Sequence, residues 1–133
     1  MQRALALCLA GGIVAVFGIA IQLSPDERGF GTHEQLGMPP CQFRILTGWK
    51  CPHCGMTTSF AHVVRGQWIQ AFEANAAGLL LAATGVVLAG WGITVAVTGR
   101  KLGPDEPVAW LIKGIMLYLV ITLVLWVAQT LFF

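Results

Sequence analysis

Three long apolar stretches constrain this chain more than any other feature of its sequence. They cover about residues 4–23, 76–97 and 108–133, and the only charged residue within them is Lys113, near the start of the third. A helix needs about 20 residues to cross the hydrocarbon of a bilayer, and each stretch has that length. Lipid offers the backbone no hydrogen-bond partners, so each stretch must pair its own N–H and C=O groups. The sequence therefore predicts an all-α integral membrane protein with three transmembrane helices.

The composition supports this class and excludes others. Of the 133 residues, 56% are hydrophobic and only 11% are charged, whereas soluble domains carry about 25% charged residues. A small soluble domain could not bury so much apolar surface. The net charge of +2, with no cluster of basic residues, argues against nucleic acid as a partner. We expect a single membrane domain, residues 1–133, whose main partner is the lipid bilayer.

The connection between the first two apolar stretches, residues 24–75, is long and polar. Its first half is rich in Gly, Pro and charge, and is typical of an irregular loop. From Met56 to Glu73 the apolar residues recur at helical spacing, which predicts one amphipathic helix lying in the membrane interface. Its predicted apolar face comprises Phe60, Ala61, Val64, Trp68, Ala71 and Phe72, and its polar face comprises Ser59, His62, Arg65, Gln70 and Glu73. Asn75 is the expected N-cap of the second span.

The distribution of basic residues predicts an orientation. If the N-terminus is cytoplasmic, four cations lie on short segments on that side: Arg3, Arg100, Lys101 and Lys113. The long loop carries its four cations over about fifty residues, and cations close to the spans weigh most. We therefore expect the N-terminus inside, a tight hairpin between the second and third spans, and the cysteine-containing loop on the outer, oxidising face.

Small residues recur every seven positions in two of the spans. The second span has Gly78, Gly85, Gly92 and Gly99, and the first has Ala4, Gly11 and Gly18. Such faces allow close approach of helix backbones. They predict packing of the first span against the second. The alternative is that Gly78, Gly85 and Gly92 contact another membrane subunit or a second copy of this chain.

Three cysteines of the long loop form the only concentrated chemistry in the sequence. Cys51 and Cys54 are spaced as CxxC, Cys41 lies ten residues upstream, and His53 and His62 are candidate fourth partners. Three interpretations stay open: a tetrahedral zinc site, a redox pair of Cys51 and Cys54 resolved by Cys41, or a structural disulfide or thiols that only pack. Pro52 suits the first turn of a helix, whose N-terminus would lower the pKa of a neighbouring thiol.

The segment from Cys41 to Gly78 resembles a domain-of-unknown-function family of small bacterial membrane proteins. The signature of that family is a Cys before Thr-Gly, then CPxCGxTR, HGD and NPxG. The matching residues here are Cys41, Thr47-Gly48, Cys51-Pro52-His53-Cys54-Gly55 and Thr57, whereas Thr58 replaces the Arg, Arg65-Gly66-Gln67 replaces HGD, and Ala76 replaces the Pro. The resemblance implies the same membrane fold and a location in the bacterial cytoplasmic membrane, and it implies no activity.

Taken together, these features favour a non-catalytic protein. The sequence has no Ser/His/Asp order, no paired carboxylates and no charged residue in the middle of a span. We expect an accessory or scaffold subunit whose loop is stapled by the cysteine cluster, either through a zinc ion or through a disulfide, with no other cofactor. The alternative is a membrane thiol–disulfide oxidoreductase that uses Cys51 and Cys54. A third hypothesis is a component of an oligomeric transporter or channel.

Overall fold

The computed structural model describes residues 2–99 and 107–132, and within these ranges the chain forms helices and no strand. The helices are α1 (Gln2–Gln22), α2 (Gln42–Thr47), α3 (Met56–Val63), α4 (Trp68–Ala74), α5 (Ala76–Thr98) and α6 (Pro107–Phe132), with a 3-10 helix at Thr32–Leu36. The predicted fold class is thereby confirmed. The predicted hairpin at residues 100–106 lies outside the described residues.

Three of these helices are long and apolar enough to cross a membrane. The qualifying segments are Arg3–Gln22, Ala76–Thr98 and Ala109–Leu131, with mean hydropathies of 2.6, 2.0 and 2.3. Large apolar side chains such as Leu117 and Val124 on α6 are more than half exposed. In water this exposure would be costly, whereas lipid solvates the same surface. The chain is therefore a multi-pass membrane protein.

Helices α1 and α5 pack closely through small residues. A Cβ added to Gly92 would lie 2.9 Å from the carbonyl oxygen of Ala6 and 3.2 Å from the Cβ of Ala10, and Gly85 faces Ile13 and Phe17. These contacts confirm the packing of the first span against the second at Gly85 and Gly92, whereas Gly78 instead meets Ser59 of α3.

The prediction of which α1 residues form this contact was partly wrong. Within the described residues, a Cβ on Gly11 or Gly18 would have no neighbour within 4 Å. The buried small residues of α1 are instead Ala6, Ala10 and Ala20. At 100° per residue, Gly11 and Gly18 lie roughly 120–140° around the helix from this face. The seven-residue spacing in α1 therefore marks a surface that faces away from α5.

The predicted amphipathic helix from Met56 to Glu73 is two helices rather than one. It breaks after Val63 because Gly66 adopts a positive φ of 72°, a conformation that glycine accepts without strain. The N–H of Gly66 donates to the Val63 carbonyl and the N–H of Gln67 donates to the His62 carbonyl, both at 3.0 Å. This pair of bonds is the Schellman motif, which ends a helix.

The residues that α3 and α4 bury do not match the predicted apolar and polar faces. Ser59, predicted on the polar face, is fully buried, as are Ala61 and Ala71. On α4, Trp68 is 57% exposed and Phe72 is 50% exposed. Their location in the membrane interface remains a prediction.

Polar contacts join the ends of the long helices to the loop. Arg65 donates from Nη2 to the Ile21 carbonyl (3.2 Å) and from Nη1 to the Ala61 carbonyl (2.7 Å), so a cation satisfies the C-terminal end of α1. In α6, Trp126 Nε1 donates to the Lys50 carbonyl at 2.6 Å. The C-terminal half of α6 thus lies on the same side as the cysteine loop.

Candidate metal centre

The three loop cysteines come together as one group of sulfur atoms. The Sγ atoms of Cys41 and Cys51 are 3.5 Å apart, those of Cys51 and Cys54 are 3.2 Å apart, and all three lie within 4.8 Å of one another. With Zn–S bonds near 2.3 Å, sulfurs on a regular tetrahedron stand about 3.8 Å apart. The distances between the three sulfur atoms therefore suit the binding of a thiophilic metal ion. Cys8, the fourth cysteine, is exposed on α1.

Two tight backbone features bring these sulfurs together. Cys41 is the N-cap residue of α2, and its carbonyl accepts from the Ile45 N–H at 3.1 Å. Cys51 and Cys54 belong to a turn in which the Cys54 N–H donates to the Cys51 carbonyl at 3.0 Å. The prediction that a helix begins at Pro52 was wrong. Residues 52–55 form turns, and α3 begins only after them.

Gly55 explains why α3 begins only at Met56. It takes a φ of 84° as the N-cap of α3. A Cβ at this position would lie 2.5 Å from the carbonyl oxygens of both Ala74 and Gly29. Only glycine allows the cysteine turn to approach the backbone before α5 this closely.

Asn75 connects the same turn to the second span. Its side chain caps α5, with Oδ1 accepting from the Gly78 N–H at 2.7 Å, which confirms the predicted N-cap. Its Nδ2 also donates to the carbonyls of Pro52 (3.1 Å) and Cys54 (3.0 Å). Asn75 is only 4% exposed, so all three bonds form away from bulk solvent. These two bonds from Nδ2 could not be predicted from the sequence, because Pro52 and Cys54 come close to Asn75 only in the folded chain.

A buried threonine pair places the 3-10 helix beside the cysteines. Thr32 Oγ1 and Thr58 Oγ1 are 2.8 Å apart, and both residues are fully buried. Thr32 Oγ1 also accepts from the Asp26 N–H at 3.0 Å, so the threonine pair is tied to the start of the loop. Thr58 is the residue that replaces the arginine of the family signature, and here it anchors the loop to α3.

The thiols differ in their electrostatic surroundings. The backbone N–H of Arg44, in the first turn of α2, stabilises the thiolate of Cys41 and lowers its pKa below the ordinary value. Burial has the opposite effect on Cys54 and raises its pKa to about 12. The helix N-terminus that lowers a thiol pKa is therefore that of α2, and not one at Pro52 as expected.

A cavity of about 310 Å³ opens beside the sulfurs. Its wall is made by Arg28, Phe30, Gly31, His33, Glu34, Pro40, Cys41, Arg44, Ile45 and Cys54. The guanidinium of Arg44 stacks on Phe30, with Cζ 3.6 Å from the ring centroid. Within the described ranges, the buried Nη1 of Arg44 has no hydrogen-bond partner. The cavity thus combines two thiols with a cation whose charge is not compensated by a carboxylate.

The two histidines predicted as fourth partners lie elsewhere. His53 is exposed although it stands within the CxxC. The Nδ1 atom of His62 is 2.7 Å from Oε1 of Gln67. Among the described residues, neither imidazole belongs to the group formed by the three sulfurs. The structure brings together the predicted cysteines and leaves both predicted histidines outside.

Fold and site together define a three-span helical membrane protein with a three-thiol centre at the start of its second span. The model of a family described as a protein of unknown function (DUF2752) matches residues 41–89, which include the three cysteines and the first part of α5. This match is consistent with the uncharacterised family that the cysteine segment resembles. Neither the curated proteins nor the solved structures contain a match to this chain.

Proposed function

We propose that this chain is a non-catalytic accessory or scaffold subunit of the bacterial cytoplasmic membrane, whose outer loop is stapled by a zinc ion on Cys41, Cys51 and Cys54. The observation that carries the proposal is the grouping of the three Sγ atoms within 4.8 Å. On the positive-inside distribution of the basic residues, the N-terminus is cytoplasmic and the loop is outside.

The number and the surroundings of the sulfurs favour a metal over a disulfide. A single disulfide would use two thiols and leave the third unused, whereas a tetrahedral ion takes all three. The charge of Arg44 points the same way. A disulfide is neutral, but three thiolates on Zn²⁺ carry a net charge of about −1, which compensates the partly buried guanidinium of Arg44.

The position of the sulfurs favours a structural role. The cysteines belong to α2 and to the turn before α3, and Asn75 ties that turn to α5. A metal there would join two segments of the loop to each other and, through Asn75, to the start of a membrane span. Structural zinc contributes directly to folding free energy, since the unfolded chain holds no formed site.

The leading alternative is a thiol–disulfide enzyme, and one observation favours it. Cys51 Sγ lies within 3.5 Å of both other sulfurs, so it could pair with either. In that case the Cys51 thiolate would attack a disulfide of a partner, and Cys54 would release the partner by closing the Cys51–Cys54 bond, so that the partner gains the two electrons and two protons that the thiols lose. Cys41 could then resolve that bond by exchange at Cys51, whose sulfur is 3.5 Å away.

The test is to purify the full chain anaerobically in detergent and measure bound zinc for three variants. We expect close to one zinc per chain in the wild type and a large loss in Cys51→Ser and in Cys54→Ser. Cys8→Ser is the matched control, because it removes an exposed cysteine of α1, and it should retain the metal. Metal-free wild type together with a partner protein trapped by Cys54→Ser would establish the enzyme instead.

A further inference from the structure

We propose that His33 supplies the fourth ligand of the metal centre through its Nδ1 atom. The inference rests on the proposed function, since it names the residue that completes the same site. Three thiolates leave one tetrahedral position open, and structural zinc sites are closed by a fourth protein ligand. His33 is outside the family match at residues 41–89, so the family signature does not point to it.

The fold brings His33 to the cysteines. It follows Thr32, whose hydroxyl is held 2.8 Å from that of Thr58 in the interior. His33 lines the 310 Å³ cavity together with Cys41 and Cys54. His53 and His62 do not line that cavity.

The hydrogen bond of His33 leaves the correct nitrogen available. Its Nε2 is 3.2 Å from the carbonyl oxygen of Pro39. A carbonyl only accepts, so Nε2 carries the proton and Nδ1 keeps its lone pair. Metal-ligating histidines commonly donate their other ring N–H to a backbone carbonyl in this way. Pro39 is two residues before Cys41, so the group that orients the imidazole belongs to the same loop as the first thiolate.

The charge of the resulting complex favours His33 over Glu34, the other candidate ligand in the cavity wall. Glu34 also lines the cavity, but its carboxylate is already paired with Arg28 at 3.3 Å. A neutral imidazole would leave the complex of Zn²⁺ and three thiolates with a charge of about −1, and a carboxylate would make it about −2. Arg28, the other guanidinium of the cavity wall, is already paired with Asp26 and Glu34, and the positive charge of Arg44 therefore matches a complex with a charge of about −1.

The proposal includes a movement. The imidazole of His33 is not within the group formed by the three sulfurs, and the cavity separates it from them. Metal binding would draw His33 across the cavity and close it. The bond to the Pro39 carbonyl would then act as the pivot.

The experiment uses the purified full chain and titrates it with Co²⁺ and then Zn²⁺. We compare the wild type with His33→Ala and His33→Cys, and with His53→Ala as the matched control for loss of a loop histidine. We expect His33→Ala to bind zinc at least about 10- to 100-fold more weakly, since losing a ligand should cost no less than losing a group that orients one, and to shift the visible bands of bound Co²⁺. His53→Ala should behave as the wild type does, and His33→Cys should recover tight binding as a four-thiolate site.

X-ray absorption of zinc-loaded wild type gives a readout that needs no variant. Three sulfur neighbours with the outer-shell scattering of one imidazole are expected, and that scattering should vanish in His33→Ala. If wild type holds metal but His33→Ala matches it in affinity and Co²⁺ bands, this inference fails while the proposed function stands. If wild type gives no Co²⁺–thiolate bands at all, both fail.

Discussion

The α1–α5 pair and the cysteine loop are held together by different kinds of contact. Between α1 and α5, the lack of a side chain on glycine allows the two helix backbones to approach closely, as where Gly92 contacts the Ala6 carbonyl. In the loop, polar side chains bond to backbone groups, as where Asn75 binds the Pro52 and Cys54 carbonyls. Lipid supplies no hydrophobic force between helices, so close packing must associate them. The loop lacks a large apolar core, so it depends on hydrogen bonds and, on our account, on a metal.

This difference means that the two regions should fail separately. Damage to the loop should release the metal while the spans remain in the membrane. Damage to the pair should loosen the spans while the metal stays bound.

The largest effect is expected for Gly55→Ala. The new Cβ would meet two carbonyl oxygens at 2.5 Å and would also hold a positive φ, which alone costs about 1–2 kcal/mol. We expect loss of most bound zinc, measured by elemental analysis of the purified variant. Gly37→Ala is the control, because Gly37 has a similar φ of 77° but open space around it. Equal zinc loss in both variants would mean that the close approach at Gly55 does not matter.

Gly92→Val should damage the membrane pair instead. Its side chain would press on the Ala6 carbonyl and the Ala10 methyl group, and overpacking of this kind costs about 1–3 kcal/mol. We expect lower thermal stability in detergent with unchanged zinc content. Gly90→Val tests a glycine of the same helix that has no neighbour within 4 Å among the described residues. If Gly92→Val lost zinc, the two regions would be coupled.

Asn75→Asp separates the two functions of this side chain. The carboxylate still accepts from the Gly78 N–H, but it cannot donate to Pro52 and Cys54, and it places a charge near their carbonyls. Leaving such buried groups unpaired costs about 1–3 kcal/mol. We expect faster reaction of Cys54 with a thiol reagent in the zinc-free protein. Asn75→Ala should show that increase together with a weakened start of α5 in amide hydrogen exchange.

Zinc affinity should rise with pH. Burial keeps the pKa of Cys54 at about 12 in the metal-free protein, so the thiol is protonated at neutral pH and metal binding must release that proton. Each proton released gives about a tenfold gain in affinity per pH unit. Competition titrations at pH 6.5 and pH 8.0 should show at least this slope. A flat dependence would mean that Cys54 is not a ligand.

The smallest effect is expected for the double variant Trp68→Ser, Phe72→Ser. Both side chains are at least half exposed, so they make little contact with the protein interior, and we expect them to contact lipid instead. Each forfeits at most about 1.5–3 kcal/mol of apolar burial. The loop should become more sensitive to protease, while the protein should stay in the membrane fraction after carbonate extraction. Extraction by carbonate would contradict the three spans.

The sequence predicted the parts of this molecule that depend on local composition. The three spans follow from uncharged length, and the cap at Asn75 follows from an Asn before an apolar run. Gly66 carried a signal that was missed, since a glycine after a helical pattern marks a Schellman end. It was obscured because apolar residues continue at helical spacing on both sides of the break.

Other features depend on contacts between distant residues and leave no local signal. The bonds from Asn75 to the cysteine turn exist only once α5 and the loop are packed. The same holds for His33, which follows the buried Thr32–Thr58 pair and lines the same cavity as Cys41 and Cys54. Gly11 and Gly18 show the reverse case, in which a clear repeat marks a face that the fold leaves open toward lipid.

The most direct test of the metal staple is a thiol count on anaerobically purified wild type, before and after a zinc chelator is added. The account predicts that three additional thiols per chain become reactive as one zinc ion per chain is released, with no reductant present. It is contradicted if no metal is released and the thiols of Cys41, Cys51 and Cys54 become reactive only after reduction.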